Sequence, residues 1–242
     1  MKKTFLTAGA AALMLATSVS AATFSLTGGT AGFIPEGNQT NEVLTNVFGM
    51  PAASGEFGAT VNLDAATDTQ ITVNYFGFEA GFANSFVIDG VVDSVALSTE
   101  LENGNGGVYT LSSDYATDLS SPLSSSDLVV AAGQLSFSFS TAGGGGIAQQ
   151  TVENGSNTDN TASNPAIANF FASLSRDAQT VFLFFDDTGA GDDDNHDDFV
   201  VSLSISGINP QEPQPVPLPA GGLLLLGGLG AFAVARRRKT KS

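Results

Sequence analysis

The sequence has no cysteine and no tryptophan, and it has one histidine among 242 residues. Without cysteine the fold does not depend on disulfides, and thiolate metal sites and thiol nucleophiles are excluded. Sugar-processing clefts commonly use tryptophan as a stacking platform, so its absence argues against such a cleft. A Ser/His/Asp triad would have to use His196, which lies among carboxylates. The missing residue types therefore favour a non-catalytic protein.

Basic residues are almost absent from the middle of the chain. All 24 Asp and Glu residues lie between residues 22 and 215, where Arg176 is the one Lys or Arg. One basic residue against 24 acidic ones gives this region a formal charge of −23, compared with −16 for the whole chain. Such a surface repels phosphate backbones and anionic lipids, so neither nucleic acid nor a peripheral membrane role is expected. Cations are the favoured partners.

The N-terminal residues 1–21 have the three parts of a secretory signal peptide. Lys2 and Lys3 provide the positive start, residues 5–16 are apolar, and residues 19–21 are the small residues that signal peptidase prefers. The alternative is an N-terminal membrane anchor, but the apolar stretch is too short to span a bilayer. We expect the mature chain to begin near Ala22.

Near the C-terminus, residues 216–235 form a run of twenty residues without a charge. At about 1.5 Å per helical residue, this run matches a hydrocarbon core of about 30 Å. Residues 236–239 are all basic, and the positive-inside rule places such a cluster in the cytoplasm. A buried core helix is the alternative, but it would hardly be followed directly by four cations. The segment predicts a transmembrane helix, with the preceding chain outside.

The motif that opens this segment consists of Val216, Pro217, Leu218, Pro219 and Ala220. Together with the apolar run and the Arg cluster, it resembles the sorting signals of PEP-CTERM proteins, in the VPLPA variant. In that class an exosortase-type membrane protease-transpeptidase cuts near the motif. The resemblance implies export in a Gram-negative bacterium, with processing by signal peptidase and transient anchoring in the inner membrane. It also implies delivery to the cell surface or the extracellular matrix.

The region between the two ends predicts a mainly β domain, an antiparallel β-sandwich or jelly roll over residues 22–207 with one or two short helices. A Pro-rich linker, residues 208–215, separates this domain from the sorting tail, residues 216–242. Strands are expected over residues 22–26, 59–63, 70–76, 85–88, 91–97, 108–111, 134–140, 180–185 and 199–206. The inward-facing residues are expected to include Ile71, Val73, Leu135, Phe137, Phe139, Phe182, Phe184 and Val201.

Helical spacing of apolar residues appears twice. Residues 41–48 could form one or two turns, with Val43, Leu44 and Val47 on one face. Residues 165–174 predict a second helix, capped by Asn164 and ending near Arg176. Its apolar face would consist of Ile167, Phe170, Phe171 and Leu174. Residues 143–146 and 149–160 are expected to form a flexible insertion between that helix and the preceding strand.

Two stretches carry a second resemblance. Residues 75–86 are similar to a segment of the β-rich ectodomains of PEP-CTERM proteins, in which a strand runs into a Glu-Ala-Gly turn. Residues 181–201 resemble the strand, acidic loop and strand that close such domains. The resemblance implies the same sandwich fold.

The acidic loop is the best candidate for a binding site, because seven Asp occupy the thirteen positions from 186 to 198. Such crowded carboxylates repel one another, and a hard cation with oxygen ligands would relieve that repulsion. The predicted calcium ligands are Asp187, Asp193, Asn195, Asp197 and Asp198. The spacing is not that of an EF-hand, since Asp198 stands where glycine is required. The alternative is a solvated hairpin loop whose charges protect a sheet edge from aggregation.

Two function classes follow from the sequence. The first is an exported, surface-sorted, non-catalytic protein that binds exopolysaccharide of a biofilm matrix through its β domain. The second is a secreted hydrolase that acts on polysaccharide with a pair of carboxylates. The lack of a catalytic constellation favours the first.

The two predicted processing signals give a direct test. We expect the mature protein to lack residues 1–21 and, after sorting, most of the chain beyond Pro219. Intact-mass measurement of protein recovered from the cell surface checks both ends. A recovered chain that still carries residues 236–239 would show that the tail is a permanent anchor.

Overall fold

The computed structural model of the chain is mainly β, with antiparallel sheets. It describes residues 21–36, 39–92, 95–102, 112–143, 148–161, 167–190, 194–207 and 212–213. The predicted signal peptide up to residue 20 and the sorting segment from Val216 onward lie outside this set, as does the expected strand at residues 108–111. Within the described ranges, no helix is long and apolar enough to cross a membrane.

Fifteen strands and one helix, α1 (Glu42–Asn46), make up the regular structure of the described ranges. The strands in chain order are β1 (Thr23–Thr27), β2 (Thr30–Ile34), β3 (Ala53–Phe57), β4 (Thr60–Asp64), β5 (Thr69–Ala80), β6 (Asn84–Val92), β7 (Val95–Glu102), β8 (Ser112–Tyr115), β9 (Ser124–Val130), β10 (Gly133–Gln134), β11 (Phe137–Thr141), β12 (Gln150–Glu153), β13 (Asn169–Leu174), β14 (Thr180–Asp186) and β15 (Phe199–Ile205).

The strands form a small sheet and a large one. In the small sheet β4 lies between β1 and β10. The large sheet has the order β12-β11-β6-β9-β5-β15-β14-β13-β3-β2, with β7 paired to β6 and β8 paired to β5. Every pair is antiparallel. The prediction of a mainly β, antiparallel domain is confirmed, and β14 and β15 lie in the middle of the large sheet.

Two apolar clusters cover the central strands. The first joins both sheets, since Phe24 and Leu63 of the small sheet share it with Val73, Phe139 and Phe185 of the large one. The second joins Val43, Leu44 and Phe48 of the α1 region to the large sheet. Successive residues of β14 alternate between the clusters, with Val181, Leu183 and Phe185 in the first and Phe182 and Phe184 in the second. The strand is therefore buried on both of its faces.

All eight predicted inward residues are buried, but they do not share one core. Phe182 and Phe184 belong to the cluster under α1, whereas the other six belong to the cluster between the sheets. Alternation alone could not separate these cases, because both faces of β14 carry large apolar side chains.

Strand β5 changes its phase at Gly77. Tyr75 pairs with Val201 and Gly77 pairs with Val200, so Phe76 is the extra residue of a β-bulge. The bulge allows Tyr75 and Phe78 to enter the first cluster while Phe76 enters the second. Gly77 has a φ of 133°. A Cβ at this position would collide with the carbonyl oxygen of Asp114 on β8, so only glycine fits here.

The two helix predictions had different outcomes. The short helix was predicted correctly as α1, and Asn41 caps it by accepting a 2.7 Å hydrogen bond from the backbone of Leu44.

The prediction of a second helix is wrong where the structure describes it, because residues 169–174 form β13. The expected cap of that helix, Asn164, and its first residue, Pro165, lie outside the described ranges. Strand β13 has β14 on one side and β3 on the other and is buried on both faces, so its apolar residues follow one another and mimic helical spacing. Arg176 lies exposed in the β13–β14 turn.

Two smaller boundaries also differ from expectation. The expected strand at residues 91–97 is divided between β6 and β7, which pair as a hairpin. The expected flexible insertion contains β12, which pairs with β11. Strand β12 is short and mostly polar, so its sequence pattern is weak.

The strand phase of β11 is open to a direct test. Phe137 is buried against Phe86 and Phe170, whereas the adjacent Ser136 is exposed. Phe137→Ala should lower the free energy of unfolding by about 3–5 kcal/mol through lost burial and the cavity left behind. The control Ser136→Ala should change it by less than about 0.5 kcal/mol. Urea unfolding of the two variants measures both, and equal losses would contradict the assigned phase.

Candidate metal centre

Most described residues of the loop that joins β14 to β15 are buried, although the stretch from 186 to 198 contains seven Asp. The exposed fractions are 0% for Asp186, His196 and Asp197, 3% for Asp187 and 5% for Asp198. The alternative of a solvated hairpin loop does not fit the burial of these residues, while Asp193 lies outside the described ranges. The reason is the position of the hairpin. Both strands lie in the middle of the large sheet. Asn41, which caps α1, donates a hydrogen bond to the backbone oxygen of Asn195 in the loop.

Four of the five predicted calcium ligands lie in the described ranges, and they have different partners. Asp187 and Asp198 form one pair, in which the Asp187 amide donates to Asp198 Oδ2 at 2.8 Å. Asn84 covers this pair by donating to Asp187 Oδ2 at 2.7 Å. Asn195 acts mainly through its backbone oxygen, which accepts a 2.8 Å hydrogen bond from the Asn41 side chain. Asp197 belongs to a separate group that includes acids from distant parts of the chain.

One group, the histidine cluster, consists of Asp186, Asp194 and His196. Nδ1 of His196 lies 3.7 Å from Asp186 Oδ2 and 3.5 Å from Asp194 Oδ1. One ligand atom from each residue lies within 4.8 Å of the others, so the cluster could hold a metal ion. Neither His196 Nδ1 nor Asp186 Oδ2 has a hydrogen-bond partner, although both atoms are buried.

Burial sets the protonation of this cluster. It lowers the pKa of His196 to about 3, so the ring is neutral at neutral pH. Burial also raises the pKa of Asp186 well above its usual range; the hydrogen bond from Thr188 opposes this rise, and the charges of Asp187 and Asp194 add to it. The pKa of Asp198 is raised likewise, by burial and then by the charges of Asp187 and Asp186. Arg176 lies exposed in another turn, so it does not neutralise these acids. Their negative charge can be balanced by bound protons or by a cation.

Each member of the histidine cluster also has a hydrogen-bond partner outside the cluster, which orients its side chain. His196 Nε2 lies 2.8 Å from Asn169 Oδ1. Asp186 Oδ1 accepts from the backbone and hydroxyl of Thr188 at 2.8 and 3.2 Å. Asp194 Oδ1 accepts from Asn160 Nδ2 at 2.8 Å. The surrounding protein therefore fixes the side chains of all three residues.

The backbone of His196 is unusual as well. Its φ is 60°, in the left-handed region that few residues other than glycine adopt. The side chain of Asn41 donates to the carbonyl oxygens of Asn195 and His196 at 2.8 and 2.9 Å and so fastens this turn to the start of α1. The Phe57 ring packs edge-on against the imidazole at a centroid distance of 5.3 Å. A strained residue held in place from several sides is typical of functional sites.

The second group, the carboxylate cluster, consists of Glu42, Glu79 and Asp197. It combines the first residue of α1, a residue near the end of β5 and a loop residue, and it also could hold a metal ion. The Glu42 amide donates to Asp197 Oδ2 at 2.7 Å, and the Glu79 amide donates to the Asp197 carbonyl oxygen at 2.9 Å. Burial raises the pKa of Tyr115, whose hydroxyl donates to Glu79 Oε2 at 3.1 Å. All charged ligand candidates of the carboxylate cluster are oxygen atoms.

Of the six members of these two clusters, only Asp197 was a predicted ligand. The sequence reasoning missed the other five, which are Asp186, Asp194, His196, Glu42 and Glu79. Period-2 alternation along β14 does place Asp186 on the face of Phe182 and Phe184, so that signal was present. Glu42 and Glu79 gave no signal, since they are far from the loop in sequence. No family model, curated protein or solved structure matches this chain.

Proposed function

We propose that this chain is an exported, surface-sorted, non-catalytic protein whose β domain is stabilised by calcium and binds exopolysaccharide of the extracellular matrix. The observation that carries the proposal is the convergence of Glu42, Glu79 and Asp197 from three separate chain segments. Export and sorting rest on the sequence of the two ends. The β-sandwich or jelly roll is supported by the single apolar cluster shared by the small and the large sheet.

Calcium suits the carboxylate cluster because it takes six to eight oxygen ligands and accepts both monodentate and bidentate carboxylates. Three carboxylates supply up to six oxygens and three negative charges, and water can complete the shell. The ion would join α1, β5 and the acidic loop. Hydrogen bonds from Glu42, Glu79 and Asn41 already link these segments. Its role is then structural: it fixes the loop at the centre of the large sheet.

A polar surface groove supports the polysaccharide part of the proposal. Its lining combines hydroxyl, amide and carboxylate groups that suit sugar hydroxyls: Val87, Asp89, Gln134, Leu135, Ser136, Phe137, Ser138, Glu153 and Asn154. The groove lies where β6 and β11 pair, and Ser136 donates to Asp89 Oδ2 across it at 2.9 Å. Hydrogen bonding rather than aromatic stacking would have to provide the affinity.

Calcium should stabilise the full chain against heat. Binding to the folded state alone contributes about 2.7 kcal/mol at a hundredfold excess over Kd, or about 5–10 °C in melting temperature for a protein of this size. Glu79→Gln combined with Asp197→Asn should remove this increment. Differential scanning calorimetry with and without millimolar calcium measures the effect.

The matched control is Asp64→Asn combined with Asp68→Asn, which removes the same charge from exposed positions and should keep the calcium increment. Sodium chloride at the same ionic strength controls for screening. A sodium effect equal to that of calcium, or a calcium increment that survives in the Glu79/Asp197 variant, would contradict the proposed site.

Binding and hydrolysis of polysaccharide give opposite results in one experiment. Full-length protein incubated with exopolysaccharide from its host should be retained on the polymer without releasing new reducing ends. Asp89→Asn should weaken retention. Asp127→Asn is the matched control, because Asp127 is also an exposed strand residue that accepts from a hydroxyl, that of Thr72 at 2.6 Å. Release of new reducing ends would favour the hydrolase.

A further inference from the structure

We propose that the histidine cluster is a second metal site, distinct from the calcium site, which binds a divalent first-row transition metal of the zinc type through His196 Nδ1, Asp186 Oδ2 and Asp194 Oδ1. The inference does not depend on calcium binding at the carboxylate cluster. It rests on buried atoms that have no hydrogen-bond partner and on the polar contacts behind them.

The tautomer of His196 follows from a chain of hydrogen bonds. Asn160 Nδ2 faces two carboxylate oxygens, Asp194 Oδ1 at 2.8 Å and Glu36 Oε2 at 3.2 Å, so this end of the amide must be the donor. Its oxygen accepts from Asn169 Nδ2 at 3.1 Å. Asn169 therefore presents its own oxygen to His196 Nε2 at 2.8 Å, and Nε2 must carry the proton. The neutral ring then has its lone pair on Nδ1.

This lone pair faces other electron-rich atoms. Asp186 Oδ2 at 3.7 Å and Asp194 Oδ1 at 3.5 Å surround Nδ1, and Nδ1 and Asp186 Oδ2 have no hydrogen-bond partner. His196 and Asp186 are both fully buried, so solvent does not satisfy them. Leaving such groups without a partner is destabilising, and more so for a charged group. A cation between the three atoms removes this cost.

The spacing and the donor set select the class of metal. Ligands about 2.0–2.1 Å from a tetrahedral zinc ion lie about 3.4 Å from one another, close to the two observed separations. Imidazole nitrogen is a ligand for zinc and its neighbours, whereas calcium and magnesium take oxygen. The nitrogen therefore distinguishes this cluster from the all-oxygen cluster at Glu42, Glu79 and Asp197.

The contacts behind the ligands match those of metal sites. A metal-binding histidine almost always donates its other ring N–H to a carbonyl or carboxylate, and ligating carboxylates are themselves hydrogen-bonded. Asn169 accepts from Nε2 of His196. Thr188 donates to Asp186, and Asn160 donates to Asp194. Three protein ligands leave a coordination position that water or a hydroxyl of a bound molecule can fill.

The single histidine allows a test on the unmodified full chain. With 15N-labelled histidine, NMR should show one ring with its proton on Nε2. One equivalent of zinc should shift the Nδ1 resonance, and an excess of calcium should not. A proton on Nδ1, an unchanged Nδ1 resonance in saturating zinc, or an equal response to calcium would overturn the proposal.

Variants separate this site from the calcium site. His196→Asn keeps a residue that tolerates positive φ and should weaken zinc binding at least about tenfold, measured by calorimetry. Asn169→Ala should weaken it about 10- to 100-fold and release the Nε2 tautomer, because Asn169 is a positioning residue. Glu79→Gln is the control and should leave zinc affinity unchanged.

The outcomes are independent of the proposed function. If the unmodified chain shows the calcium increment but no zinc response, the transition-metal site alone is refuted. If the unmodified chain binds zinc but shows no calcium increment, the calcium site alone is refuted. Zinc affinity that is unchanged in a folded His196→Asn variant would place the metal elsewhere and overturn the inference.

Discussion

The structure depends on the burial of the β14–β15 hairpin on both of its faces. Large apolar residues on one face of β14 pack between the two sheets, and Phe182 and Phe184 on the other face pack under α1. At about 25 cal/mol per Å² of apolar area, two-sided burial of so many phenylalanines is the main favourable contribution to this fold. The described acidic residues beside the hairpin, Asp186, Asp187, Asp197 and Asp198, are buried with it.

That placement creates an electrostatic problem that hydrogen bonds solve only in part. Asn84 and Thr188 stabilise individual carboxylates of the loop, and Asn41 holds its backbone. These neutral groups supply no positive charge, and the one Arg of the domain region lies at an exposed turn. With the proposed metal sites, such a domain would suit an environment rich in divalent cations. The proposed extracellular destination would provide one.

The two clusters divide the chemistry of the loop. Consecutive residues His196 and Asp197 belong to different clusters, because the left-handed turn at His196 directs neighbouring side chains to different partners. One cluster offers oxygen alone, and the other adds an imidazole nitrogen whose tautomer is fixed by Asn169. If both proposed sites bind their metals, a single loop would discriminate between hard and borderline cations. Both ions would fasten the same loop to the sheet, so each would stabilise the fold that the other needs.

The sequence by itself determined those features that depend on local pattern or composition. Alternation identified β5 and β11, the pattern of strand, acidic loop and strand identified β14 and β15, and helical spacing identified α1. Composition determined the acidic character and the lack of internal cations. Tertiary structure alone decided the rest. Burial on both faces made β13 resemble a helix, and only packing around the hairpin turned an acidic loop into a buried one. Glu42, Glu79 and Asn169 reach the loop from distant segments, and such long-range contacts leave no periodic signal in the chain.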